Sequence, residues 1–173
     1  MEPAFEQGQR LLVNKAVYRF REPQRGDVIV FLHNQRADYI KRIVALPGDT
    51  VEIKKGVVYV NGSNLYEPYI KDTPSYQPLQ KEIPENEYFV LGDNRNNSND
   101  SRNNWTVKRE EIIGKAWLSI WPPNQWGLIA HYPLQEQLSS TKLFPQLPQV
   151  EMNHGWSTMG TSMGNGYLLQ LSH

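Results

Sequence analysis

The 173-residue chain has no cysteine, which excludes disulfides, thiolate metal sites and a cysteine nucleophile. It also lacks an excess of either charge. Lys+Arg and Asp+Glu number 18 each, so no global field draws the chain to nucleic acid or to anionic lipid. The four histidines, His33, His131, His154 and His173, have no metal-ligand spacing, and neither a metal nor a cofactor is expected. No apolar run approaches the roughly 20 residues that a bilayer span requires. No basic-then-apolar leader opens the chain. Helix signals are scarce, limited to a turn or two over residues 108–113.

What is present is a series of short strands. Residues 10–15 are strand-like, and a turn at 23–27 leads to 28–32, a nearly continuous apolar run expected to be buried on both faces. Residues 51–54 alternate with period two. Lys55-Gly56 turns the chain into 57–60, and Asn61-Gly62 is a strong hairpin signal because both residues tolerate positive φ. Residues 66–84 hold Pro68, Pro74, Pro78 and Pro84 and read as an excursion over the surface, with Tyr66, Tyr69 and Tyr76 available to pack. Further strands are expected at 88–91 and 116–121, and the folded part ends near Pro133. The expected fold is mainly β, an antiparallel assembly with little helix. One domain spans 1–133, with 55–86 a small hairpin and irregular excursion. Residues 134–173 carry only Glu136, Lys142 and Glu151 as charged side chains and are expected to form a poorly ordered tail.

Two stretches depart from this pattern. In residues 39–51, Lys41 sits among Ile40, Ile43, Val44 and Leu46, and Pro47-Gly48-Asp49 stops the strand at once. Such a lysine either snorkels its ammonium to water or is desolvated enough to act as a general base. The second stretch, 92–104, has thirteen residues and none of them is apolar. It reads either as a solvated turn or as a loop held rigid by its own side chains. Asp100 and Arg102, two apart, share a face in an extended segment and can pair.

These stretches carry a resemblance. Met1-Glu2-Pro3 with Phe5, residues 24–31, residues 39–49 and the run from Gly92-Asp93-Asn94 through Ser98, Asp100, Ser101 and Arg102 resemble, in order, the motif boxes of the type I signal peptidases. These are the serine-lysine proteases (S26) that remove leader peptides from exported proteins. The resemblance spans roughly residues 1–121 and implies an antiparallel β fold whose apolar groove takes an extended substrate as an added strand. It puts the general base at Lys41, a hydrogen bond from Ser98 to the Lys41 amine, and an ion pair of Asp100 with Arg102 holding the loop beside it. Arg42→Lys is expected to matter far less than any change at Lys41. The implied partners are signal peptides with small residues before the cut, and the implied place is the plasma membrane, with the catalytic domain on its extracytoplasmic side.

In the family the nucleophilic serine immediately precedes the methionine aligned with Met1, after a membrane-spanning segment. The chain is therefore expected to be an N-terminally truncated form, inactive as given. The alternative is a catalytically inactive peptide-binding relic of the same fold. Self-cleaving repressors also use a serine-lysine dyad, but they would bring a helical DNA-binding module, and neither that nor a basic patch is visible; no nucleic-acid partner is expected.

Overall fold

A computed structural model describes residues 10–33, 37–70, 72, 74–75, 77–132 and 134. Its strands are β1 (Arg10–Asn14), β2 (Val28–His33), β3 (Ala37–Ala45), β4 (Thr50–Lys54), β5 (Val57–Val60), β6 (Ser63–Asn64), β7 (Leu79–Glu82), β8 (Glu87–Leu91), β9 (Val107–Lys108), β10 (Ile112–Trp121) and β11 (Gly127–Leu128). They form two antiparallel sheets. The larger has the order β1-β10-β2-β3-β8-β9, with β11 on β10, and the smaller has the order β6-β5-β4-β7. The expected all-β class is the one observed.

β3 passes directly into β4, and so from one sheet to the other, through the turn at Pro47-Gly48-Asp49. Gly48 takes φ +78°, a conformation that side-chain-bearing residues rarely adopt. Asp49 fixes the corner by accepting from the Leu46 amide (2.7 Å), from the Asn61 side chain (2.7 Å) and from Arg25. Apolar side chains of both sheets meet behind this corner. Val44, Ala45, Phe89 and Leu91 of the larger sheet pack with Val51, Ile53, Val58 and Val60 of the smaller one. A second cluster, with Tyr18, Ile29, Phe31, Ile43, Tyr88 and Val90, covers the other face of the larger sheet.

Several expectations are corrected. Only a 3-10 turn, Arg109–Glu111, stands where a short helix was expected, and Ile112 and Ile113 already belong to β10. β2 is buried at Val28, Ile29 and Phe31, but Leu32 is partly exposed. The excursion contains a strand of its own, β7, and within it Tyr69 is buried while Tyr66 is exposed. Tyr76 lies outside the described residues. So does the segment 134–173 apart from Leu134, which is fully buried in the inter-sheet core.

Candidate active site

Side chains alternate across a strand, so Tyr39, Lys41 and Ile43 share one face of β3, while Ile40, Arg42 and Val44 share the other. Lys41 pairs across strands with Ile29 and Tyr39 with Phe31, which surrounds the lysine stem with apolar neighbours. The expected desolvation thus comes from the Ile43 side of the strand and from β2, not from Ile40. Burial lowers the Lys41 pKa from 10.5, against the opposing pull of the negative Asp100 and Asp93. The amine lies 5.2 Å from the Tyr39 ring centre and donates to the Ile40 carbonyl at 3.0 Å.

Beyond β8 the polar loop folds back on the strand that precedes it. Ser101 Oγ accepts from the Val90 amide at 3.0 Å, and Asp100 Oδ2 accepts from the Gly92 amide at 3.1 Å. Loop side chains therefore take backbone donors at the end of β8, past the short pairing with β9. Asp100 is fully buried and holds Arg102 through two bonds, Nε to Oδ1 at 2.7 Å and Nη2 to Oδ2 at 2.9 Å. It also caps the 3-10 turn Ser101–Asn103. Asn99 ties the loop to the lysine strand, donating to the Tyr39 hydroxyl and accepting from the Trp105 indole, both at 3.4 Å.

Gly92 is where lysine and loop meet. A Cβ placed on it would lie 2.2 Å from Ser98 Oγ, 2.7 Å from Ser98 Cβ and 3.7 Å from Lys41 Cδ. The lysine stem and the serine hydroxyl thus flank one bare Cα. The expected Ser98–Lys41 hydrogen bond is not formed: the amine is on Ile40, and Ser98 Oγ is buried with no partner.

A family model described as "Signal peptidase, peptidase S26" matches residues 1–121. The chain belongs to the signal peptidase S26 family. It is 43% identical over 136 residues to a probable signal peptidase I-2 of Synechocystis sp., covering 75% of this chain and 62% of that protein's length. Signal peptidase IB of Staphylococcus aureus is 36% identical over 140 residues, covering 70% of this chain and 73% of the relative. A solved signal peptidase I of Enterococcus faecalis V583 is 34% identical with a TM-score of 0.49, covering 55% of this chain and 97% of that one.

Of the residues that the signal peptidase resemblance singled out, the structure brings together Lys41, Ser98, Asp100 and Arg102. The segment at Met1 lies outside the described residues. Sequence reading undervalued Arg42. Its guanidinium is buried, donates to both oxygens of Asp93 and to the carbonyls of Gly26 (3.0 Å) and Ala130 (3.2 Å), and stacks 4.2 Å from the Tyr69 ring centre. Arg95 was missed as well. It binds both oxygens of Glu67, at 2.9 and 2.5 Å, and so ties the polar loop to the excursion. His131 accepts from the Val28 amide through Nδ1 (3.1 Å) and donates from Nε2 to the Ala116 carbonyl (2.9 Å), pinning the segment after β11 to β2 and β10. The available signal was a charged residue inside an apolar strand, which Arg42 gives as clearly as Lys41.

Proposed function

We propose that the protein is a serine endopeptidase that removes N-terminal signal peptides from exported preproteins, with Lys41 as general base. One observation carries the reading: a lysine amine desolvated on a strand face, with its pKa lowered, beside a polar loop that is locked by a buried carboxylate. In the proposed reaction the neutral amine takes the proton of a serine hydroxyl as that oxygen attacks the scissile carbonyl. The ammonium then returns the proton to the departing amine, and water hydrolyses the acyl ester with the lysine again accepting a proton. The family pattern puts the attacking serine just upstream of Met1. Ser98 has a buried hydroxyl without a partner next to the lysine stem, so a turn of the amine away from the Ile40 carbonyl would let Ser98 orient it. Asp100 and Arg102 hold the loop in place for this.

The substrates on this reading are preproteins with small residues before the cut. The family is generally membrane-anchored. No helix among the described residues is long and apolar enough to cross a bilayer. By the family pattern alone, the anchor is assigned to a segment before the attacking serine and the catalytic domain to the extracytoplasmic side.

The test is cleavage of a leader peptide ending in Ala-x-Ala. A polypeptide extended upstream through the expected serine should cut after the second alanine, and the 173 residues alone should not. Turnover by the 173 residues that Ser98→Ala abolishes would mean that the nucleophile is misassigned. Peptide binding without cleavage by the extended protein would favour the inactive relic.

A further inference from the structure

Both polar backbone groups of Gly92 are held by side chains. Its amide donates to Asp100 Oδ2 at 3.1 Å, and its carbonyl accepts from Arg95 Nε at 3.0 Å. The Arg95 guanidinium gives its two other nitrogens to Glu67, Nη1 to Oε2 at 2.9 Å and Nη2 to Oε1 at 2.5 Å. The fork is planar, so the carboxylate that grips its outer edge also fixes the direction in which Nε points. The two side chains are only 1% and 6% exposed, which seals the tie from water. Glu67 is itself fixed, since Oε1 also accepts from the Tyr69 hydroxyl at 2.8 Å. On either side of it Leu65 and Tyr69 are buried in the core between the two sheets, and the Leu65 amide donates to the Val58 carbonyl of β5 at 2.9 Å. Glu67 thus stands on the smaller sheet and reaches, through Arg95, a glycine at the end of β8 in the larger one.

That glycine is the residue whose bare Cα is flanked by Ser98 Oγ and the Lys41 stem. Whatever turns its backbone changes how serine and lysine face each other. Glu67 acts on Lys41 through this chain of contacts, since the carboxylates that pull on the amine directly are Asp100 and Asp93. Stability alone is a poor reason for a buried ion pair, because an apolar pair of the same volume does as well or better. What the pair supplies is direction, and the direction leads to Gly92.

We infer that Glu67 is a positioning residue for the candidate site: acting through Arg95, it fixes the backbone of Gly92 and thereby sets Ser98 against Lys41. The inference rests on the peptidase reading but has a readout apart from cleavage. Lys41 is titrated in the full 173-residue chain by NMR of ¹³C-labelled lysine, its signal assigned with Lys41→Arg. In Glu67→Gln the Gly92 backbone loosens and water reaches the amine, so the Lys41 midpoint should rise by about half a pH unit or more. Loss of the Glu67 charge alone would move it the other way, because a carboxylate favours the ammonium. In an upstream-extended protein, Glu67→Gln and Arg95→Lys should each lower kcat about tenfold with KM unchanged, and should move the rising limb of the pH profile to higher pH. The triple variant Glu67→Leu/Tyr69→Phe/Arg95→Met replaces the buried polar cluster by apolar side chains. It should melt close to the native chain, yet keep the low kcat. A lowered melting temperature with kcat and the Lys41 midpoint unchanged would make the pair a purely structural tie and overturn the inference. A raised KM at unchanged kcat, or full activity in the triple variant, would overturn it as well. If the native extended protein does not cleave, the peptidase reading falls, and the Lys41 midpoint still decides the inference. A rise in Glu67→Gln then upholds the hold on Gly92, and an unchanged midpoint ends it.

Discussion

Arg42 and Asp93 exchange two hydrogen bonds, Nε to Oδ1 at 3.0 Å and Nη2 to Oδ2 at 2.8 Å, and neither side chain is more than 1% exposed. Each is the sequence neighbour of a residue at the candidate site, Arg42 of Lys41 and Asp93 of Gly92. The pair therefore fixes, from the opposite face of the sheet, where the lysine strand stands relative to the loop.

Removing one member leaves a buried charge without compensation, at a cost of about 3 to 5 kcal/mol. Asp93→Ala should show a loss in that range in denaturant titration. Arg42→Lys keeps the charge but cannot hold both carboxylate oxygens and two carbonyls together, and it should lose about 2 kcal/mol or more. An unchanged unfolding midpoint for Arg42→Lys would mean that the lysine reaches the same partners.

Lys41 is the opposite case. Burial disfavours its ammonium, so the amine deprotonates at a lower pH than a free lysine, and activity in an upstream-extended protein should rise with pH along that limb. Lys41→Arg should abolish cleavage, because guanidinium does not release its proton in this range. Lys41→Met should abolish cleavage too while folding normally, since an apolar side chain of similar length suits the site. Substantial activity in Lys41→Arg would make the residue a snorkelling lysine and end its role as base.

The strands were legible because their signals are local. Apolar composition marked β2, β3 and β8, and Asn61-Gly62 marked the turn after β5. β7 was not legible, since Leu-Gln-Lys-Glu has a single apolar residue and becomes a strand by pairing with β4. Helix propensity misled at Ile112 and Ile113, where pairing of β10 with β2 prevails. Of the candidate site, the Asp100–Arg102 contact was readable because the two lie two residues apart. Arg42–Asp93 and Glu67–Arg95 join residues far apart in sequence, and no local pattern announces such a pair.

The Asp100–Arg102 pair makes a prediction for each partner, for different reasons. Arg102→Ala strands a fully buried carboxylate, whereas Asp100→Ala leaves a guanidinium that is 19% exposed and can reach water. Asp100→Ala also deprives the amides of Gly92 and Arg102 of their acceptor. Both should lower stability by about 3 kcal/mol or more, well beyond the 1 kcal/mol or less of a surface pair. Melting curves unchanged for both variants would return the loop to a solvated turn.

His131 gives a pH dependence of known sign. Its Nδ1 accepts from Val28, so the folded state holds it neutral, and burial, aided by Lys115 and Arg42 against Asp27, lowers its pKa from 6.5 to about 4. Between these values the unfolded chain binds more protons than the folded one. Stability should therefore rise with pH from about 4 to 6.5 and fall away on acidification, by about 1 to 2 kcal/mol once solvent screening of the partly exposed ring is allowed for. His131→Gln should flatten this part of the stability–pH curve. A slope of the same size in the variant would assign the effect to other groups.

Gly92 offers the sharpest test of the geometry. Alanine there would put its methyl 2.2 Å from Ser98 Oγ and 2.7 Å from Ser98 Cβ, inside any tolerable contact, while Lys41 Cδ at 3.7 Å would not be pushed. The loop must give, because Gly92 is anchored at the end of β8 and its amide is held by Asp100. Gly92→Ala should thus displace Ser98 from the lysine and cut cleavage by an upstream-extended protein about a hundredfold, the loss expected for moving a group that positions a catalytic base. The cause can be separated from general damage. Ser98→Gly removes both clashing atoms, so the double variant Gly92→Ala/Ser98→Gly should regain the melting temperature of Ser98→Gly alone without regaining full activity. If Gly92→Ala by itself keeps both activity and melting temperature, Ser98 does not stand over Gly92 in solution, and the meeting of serine and lysine at that Cα is not part of the site.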